Sequence, residues 1–249
     1  MKKILILLSI FISSISMYSQ EIDRLDFNLS LRSNHLWRGI TVTDGAMTDV
    51  DINYALDNKK YLKLGVWGGI GLGDTNGEHY HEINYYIHYS TGKWGVGVWD
   101  VFNSTGRLKG DKDNDIWNYD RKTSGHRFDF RGYFVFSENF PLKLDYGTSF
   151  YGCDRDEKGD QRWSTYAGLN YPIIKGKAVD LDLFCGAAFG LAGKSNFYGN
   201  EKHDFDIVNA GITASKDVSV LGYKLPVSAT AMWNPSRKEA RVQIATSLF

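Results

Sequence analysis

The chain has 249 residues, with 29 basic and 29 acidic, and is rich in Gly (26), Tyr (15), Phe (14) and Trp (7) but holds only 4 Pro and 2 Cys. That even charge balance excludes the broad basic footprint a nucleic-acid partner requires. Beyond residue 20 no apolar run approaches the ~18 residues a membrane-crossing helix needs, which excludes a helical membrane protein.

The first twenty residues read as an export signal. Lys2 and Lys3 precede an apolar run from Ile4 to Ile12 and a small-residue stretch, Ser13-Ser14-Ile15-Ser16. The run is too short to span a bilayer, and Tyr18-Ser19-Gln20 offers a cleavage region before Glu21. The expected organisation is a signal peptide over 1–20 and one domain over 21–249.

From there the dominant signal has period two. Leu62, Leu64, Val66, Gly68, Ile70 and Leu72 alternate with Tyr61, Lys63, Gly65, Trp67, Gly69 and Gly71, and similar faces recur to the end of the chain. Because a strand sends successive side chains to opposite faces, each such segment has one apolar and one polar face. Twelve segments are expected: 25–38, 46–56, 60–72, 79–91, 93–103, 126–137, 142–153, 161–173, 177–190, 204–216, 223–234 and 239–249. The connections alternate in length. Short ones at 57–59, 91–92, 137–141, 174–176 and 217–222 are interleaved with longer ones at 39–45, 73–78, 103–125, 154–160, 191–203 and 234–238. An even number of strands with short periplasmic turns and longer external loops is the pattern of an outer-membrane barrel. The predicted fold is therefore all-β, a single antiparallel up-and-down transmembrane barrel of about twelve strands.

Alternation alone also fits a lipocalin-like soluble barrel, in which the apolar face points inward. Charges of both signs crowd the polar faces here, as in Arg127-x-Asp129-x-Arg131, and those faces also hold most strand glycines. Trp37, Trp94, Trp163 and Trp233 fall near strand ends, where interfacial aromatic girdles sit. Both features favour the membrane barrel. The terminal Phe249 is partial support, since Val242, Ile244, Thr246 and Leu248 run one residue out of phase with it.

The run Ser33-Asn34-His35-Leu36-Trp37-Arg38-Gly39-Ile40-Thr41-Val42-Thr43-Asp44-Gly45 resembles the N-terminal motif of the TorF family porins, also known as Gcw_chp proteins. Trp37, Arg38, Gly39, Asp44 and Gly45 carry the likeness, and His35 stands where that family has an aromatic residue. Gly65-Val66-Trp67-Gly68 and Glu82-Ile83-Asn84-Tyr85-Tyr86 look like further landmarks. In the family the motif closes the first strand and opens the next. The resemblance implies a membrane barrel with a pore, and supplies no catalytic residues.

Lys63, Glu82, Arg127, Asp129, Arg131, Lys143, Asp145, Arg162, Asp180 and Asp182 are the candidate pore-lining residues. Such residues either set a field across a constriction or cross-link into a polar plug, because buried charges must be paired. His79, His81 and a loop-borne His126 are a weak metal constellation, since zinc sites need three or four ligands in fixed geometry. The 154–160 loop lacks the spacing of a calcium loop. No nucleophile and base agree in phase, so catalysis is the weakest reading, and His88 reads as a lumenal hydrogen-bonding residue. Cys153 and Cys185 fall two strands apart, roughly 9–10 Å against a bridging limit near 7 Å, and are expected as free thiols.

The expected function is a passive channel for ions or small polar solutes in the bacterial outer membrane. The alternatives are a closed structural or surface-interaction barrel with working external loops, and a lipid-modifying enzyme. No cofactor and no metal are expected. The expected partners are outer-membrane lipid, lipopolysaccharide and, during biogenesis, the barrel-insertion machinery.

Overall fold

The computed structural model describes residues 23–176, 178–192 and 195–248, so the predicted signal peptide and Phe249 lie outside the described residues. The strands, in chain order, are β1 (Leu25–Arg32), β2 (His35–Trp37), β3 (Ile40–Thr43), β4 (Met47–Ala55), β5 (Leu62–Thr75), β6 (Glu78–Ser90), β7 (Trp94–Asn103), β8 (His126–Val135), β9 (Lys143–Gly152), β10 (Ser164–Lys175), β11 (Asp180–Gly190), β12 (Phe205–Val220), β13 (Tyr223–Asn234) and β14 (Glu239–Ser247). Twelve of them, β1 and β4 to β14, close into an antiparallel barrel in chain order, while β2 and β3 pair only with each other. Closure leaves the main sheet without a free edge, which is the condition for placing backbone in hydrocarbon.

The faces sort as period two requires. Leu64 (54% exposed), Val66 and Ile70 on β5, Phe130 and Phe134 on β8, and Leu183 on β11 point outward and form an apolar exterior. Alternate residues point inward: Asp129, beside Phe130, is 0% exposed, and Asn84 on β6 and Asp49 on β4 are also buried. Val242 and Ile244 are exposed as well, so β14 sends its apolar face outward. A soluble barrel would have the opposite polarity.

Both termini of the described chain and most of the tight turns lie at one end, here called the turn end; the other is the loop end. One connection expected to be a longer loop is tight. β5 continues to Thr75 and returns through Asn76-Gly77, whose φ angles of 56° and 83° suit a two-residue hairpin. The loop over 104–125 is ordered by its own polar contacts. Arg107 donates to the carbonyls of Asp113 and Gly125, and Asn118 Nδ2 donates to the carbonyls of Lys112 (2.7 Å) and Thr123 (3.0 Å).

The first predicted strand, 25–38, is corrected. β1 stops at Arg32, and the motif that was expected to join two barrel strands instead forms a separate hairpin, β2–β3. Arg38 (φ 49°) and Gly39 (φ 85°) make its turn. A β-carbon on Gly39 would also collide with the Val208 carbonyl, so glycine meets two demands there. Val208 is the residue skipped by a register shift where β11 pairs β12, between Gly186 and Ala187, so the hairpin tip rests against the β12 bulge.

The barrel closes at its weakest ladder. β1 and β14 share three register pairs, Ser30 with Ser247, Leu31 with Thr246 and Arg32 with Ala245, whereas β1 and β4 share eight. Beyond Arg32 the seam is continued by the Ser33 N–H, which donates to the Ile244 carbonyl (2.9 Å), and by side chains. Asn34 Nδ2 donates to the Val242 carbonyl (3.0 Å), the Ile244 N–H donates to Ser33 Oγ (2.9 Å), and Gln243 Nε2 donates to the Asn34 carbonyl (2.7 Å).

Candidate functional site in the barrel interior

The hairpin carries its motif residues into the lumen. Asp44 is held 3.3 Å from Arg241, and Thr43 Oγ1 accepts from the Gly45 N–H (3.4 Å), which pins the return limb. His35 stacks on Tyr80 (5.9 Å between centroids) and lies 5.6 Å from Trp67, so the histidine ring does the packing expected of an aromatic at that position. At the tip, Arg38 donates to Tyr198 Oη (2.8 Å), and Asn234 Nδ2 donates to the Gly39 carbonyl (3.0 Å).

Trp37, expected in an outer girdle, is instead an interior residue. Three guanidiniums lie against its indole, those of Arg38 (4.8 Å), Arg127 (4.9 Å) and Arg131 (5.4 Å). The aromatic face is negative, so each contact is favourable by about 0.5–2 kcal/mol, more where water is excluded. Phe197 and Tyr198 close over the same indole at 6.2 and 5.5 Å. They come from the 195–203 loop, which turns inward because Asn196 Oδ1 accepts the N–H groups of Tyr198 and Gly199. Trp94, Trp163 and Trp233 are exposed, in keeping with an outer position.

Below the indole, Asp129 lies 3.3 Å from Arg127 and 3.1 Å from Arg131, and accepts from Ser149 Oγ at 2.6 Å. The serine reaches it because a register shift between Phe128 and Asp129 sets Ser149 opposite the carboxylate. Arg131 also covers Trp99 (4.3 Å), which stacks on Tyr86 (4.2 Å). These groups gather in one layer of the interior, here called the neck. A chamber of about 500 Å³ on the loop-end side is bounded by Trp37, Trp99, Arg127 and Arg131, and a second of about 340 Å³ on the turn-end side by Arg38, Trp99, Arg131 and Asp145. Trp99 and Arg131 are walls of both.

The other candidate residues are distributed along the axis. Glu82 borders the loop-end chamber and accepts from Asn84 Nδ2 (2.8 Å), Asn103 Nδ2 (3.0 Å) and Tyr80 Oη (3.1 Å). Lys63 pairs with Asp26 (2.6 Å) and Lys143 with Asp145 (3.0 Å) on the inner face toward the turn end. Asp180 and Asp182 both lie 3.5 Å from Lys175 at the start of β11. Arg162 precedes β10 and pairs with Glu201 (2.9 Å), which places it in the loops above the lumen.

The chemical constellations considered from sequence come apart. His126 is not beside His79 and His81: Nδ1 meets Asp100 Oδ1 at 2.6 Å and Nε2 meets the Ile116 carbonyl at 2.9 Å, while Tyr119 stacks on the ring at 4.1 Å. It anchors the 104–125 loop, and with both nitrogens engaged it serves no nucleophile. No group of three or more metal-ligating side chains occurs among the described residues. His88 borders the turn-end chamber, its ring 6.3 Å from Tyr133. Cys153 and Cys185 are both free. Asp154, in the loop after β9, accepts from the Ser164 N–H and hydroxyl at 2.8 Å each, and burial raises its pKa above the ordinary 3.8.

Sequence reasoning missed Phe197, Tyr198 and the inward course of Trp37. The signals were present: a positive-φ-tolerant Arg-Gly turn within an overlong first strand, and an Asn-x-x-Gly turn in the 195–203 loop.

The architecture defines a class, the closed twelve-stranded antiparallel barrel with an apolar exterior and a polar interior. It is similar to the crystal structure of the COG4313 outer membrane channel from Pseudomonas putida F1, with a TM-score of 0.50 and 10% identity over 92% of this chain and 95% of that one. At that identity the likeness speaks for the fold alone. No protein-family model and no curated protein matches the sequence.

Proposed function

We propose that this protein is a passive outer-membrane channel for ions or small polar solutes, a porin of the TorF type. The observation that carries this reading is the polar interior, with chambers of about 500 and 340 Å³ meeting at the shared walls Trp99 and Arg131. A barrel that needed only to be filled would leave no such chambers on either side of the Trp99 and Arg131 layer. The apolar exterior, the export signal expected over 1–20, and the fold shared with an outer membrane channel support the same location. Lys63, Glu82, Arg127, Asp129, Arg131, Lys143, Asp145, Asp180 and Asp182 then form the conducting wall. Arg162 belongs to the loops above it. Membrane lipid and lipopolysaccharide are the surroundings, and the barrel-insertion machinery is the partner during assembly.

Single-channel recording in planar bilayers tests the proposal. Discrete current steps are expected from heat-modifiable, folded protein, and their absence overturns it. A second reading, a closed barrel whose loops do the work, draws on the loop surface, where Trp117 is 82% and Leu108 70% exposed.

A further inference from the structure

The charge around the neck is not balanced. Arg127 and Arg131 share one carboxylate, Asp129. Arg38 has only Tyr198 Oη and aromatic faces as partners, and Arg237 donates only to the carbonyls of Phe197, Tyr198 and Gly199. Among the described residues Glu82 and Asp51 are further carboxylates near this level, and the partners they show are neutral donors, Asp51 accepting from Tyr86 Oη (2.7 Å). Arg32 with Asp49, Arg107 with Asp113 and Arg162 with Glu201 pair off locally. Of the three guanidiniums on the Trp37 indole, two therefore share the single carboxylate Asp129, and the third makes no ion pair among the described residues. The Nε atoms of Arg127 and Arg131 are buried without a hydrogen-bond acceptor, although Arg127 Nε lies 3.3 Å from Asp129. A buried donor left open in this way has room for a further acceptor, a water or an anion.

We propose that the neck formed by Arg38, Arg127 and Arg131 on Trp37 is an anion filter, and that the solutes of this channel are small anions. The inference rests on the channel reading and deepens it. Guanidiniums suit this task because they stay charged at any physiological pH and are weakly hydrated, so a passing anion exchanges water for N–H donors at low cost. Trp37 keeps the three in place without neutralising them, which a carboxylate in its position would do. Low-dielectric walls focus the field of the unpaired charge into the passage. In the turn-end half Lys63 meets Asp26 and Lys143 meets Asp145, while Asp180 and Asp182 share Lys175, so the guanidinium cluster on Trp37 is confined to the neck.

The test has two arms. Under a tenfold KCl gradient the reversal potential is expected to have the sign of chloride selectivity, with chloride favoured over potassium by about threefold or more. Arg38→Gln and Arg131→Gln should each move the ratio toward one. A cation-selective potential overturns the filter and leaves the pore reading intact. The second arm needs no conduction. In detergent-folded protein, iodide and caesium quench tryptophan fluorescence, and the difference between wild type and Trp37→Phe isolates the neck indole. Iodide is expected to quench that component about twofold or more better than caesium, with the advantage lost in Arg38→Gln. Equal quenching, or stronger quenching by caesium, overturns the filter even if no current is recorded.

Discussion

At Asp129 a fully buried carboxylate holds two guanidiniums beside one indole. Removing it leaves Arg127 and Arg131 uncompensated in a low-dielectric layer, a change that costs about 3–5 kcal/mol. Asp129→Ala should lower the urea midpoint of unfolding accordingly, whereas Lys175→Ala at the exposed turn end should move it by less than about 1 kcal/mol. The alternation Arg127-x-Asp129-x-Arg131 was legible from sequence because inward charges at period two have little else to do. Trp37 was not. A tryptophan near a strand end suits a lipid interface and an arginine cluster equally well, and only the direction of the following turn separates the two. That direction depends on Gly39. Gly39→Ala combines a positive φ with a collision at the Val208 carbonyl, so the hairpin tip should lift and Trp37 fluorescence should shift to the red.

The β2–β3 hairpin is an insert between β1 and β4, which pair directly along eight positions. Its removal therefore breaks no barrel ladder. Replacing residues 35–43 by a short Gly-Ser linker should preserve heat modifiability and increase single-channel conductance; unchanged conductance would mean that the hairpin does not narrow the path. The same stretch shows where period-two reasoning stops. Leu36, Ile40 and Val42 alternate like a strand and do form strands, but alternation is silent on whether a strand joins the barrel or enters it. The turns obey simpler chemistry. The Asp57 carboxylate accepts the N–H groups of Leu62, Tyr61 and Lys59, and Asp120 those of Lys122 and Thr123. These bonds hold both acids below the ordinary value of 3.8. A depressed folded-state pKa stabilises fully above the unfolded value and ceases to do so as pH falls through the folded one. Hydrogen-exchange protection at Leu62 and Thr123 should therefore persist at pH 5 and fall only below about pH 3.8.

For the molecule as a whole, twelve strands and their polarity were legible because hydrocarbon outside and charge inside leave one face of each segment no choice. Loop lengths located nine of the eleven connections to within a few residues; the first proved to hold the β2–β3 hairpin, and the Asn76-Gly77 turn differed because β5 and β6 extend beyond the apolar stretch that marks them. The interior did not follow from composition, since whether a lumen of this size is filled or open depends on where two loops fold. The ladder between β1 and β14 has another consequence. It joins the two ends of the chain, so closing it carries the largest loop entropy in the molecule, and only three register pairs are there to offset that cost. Assembly should accordingly end at this seam, and loosening should begin there. Ser33 and Asn34 act as a clasp on a ring that is otherwise complete, and the residues that follow them in the chain are the ones that enter the lumen. Shutting the ring and placing the hairpin inside it are thus successive acts of a single short segment.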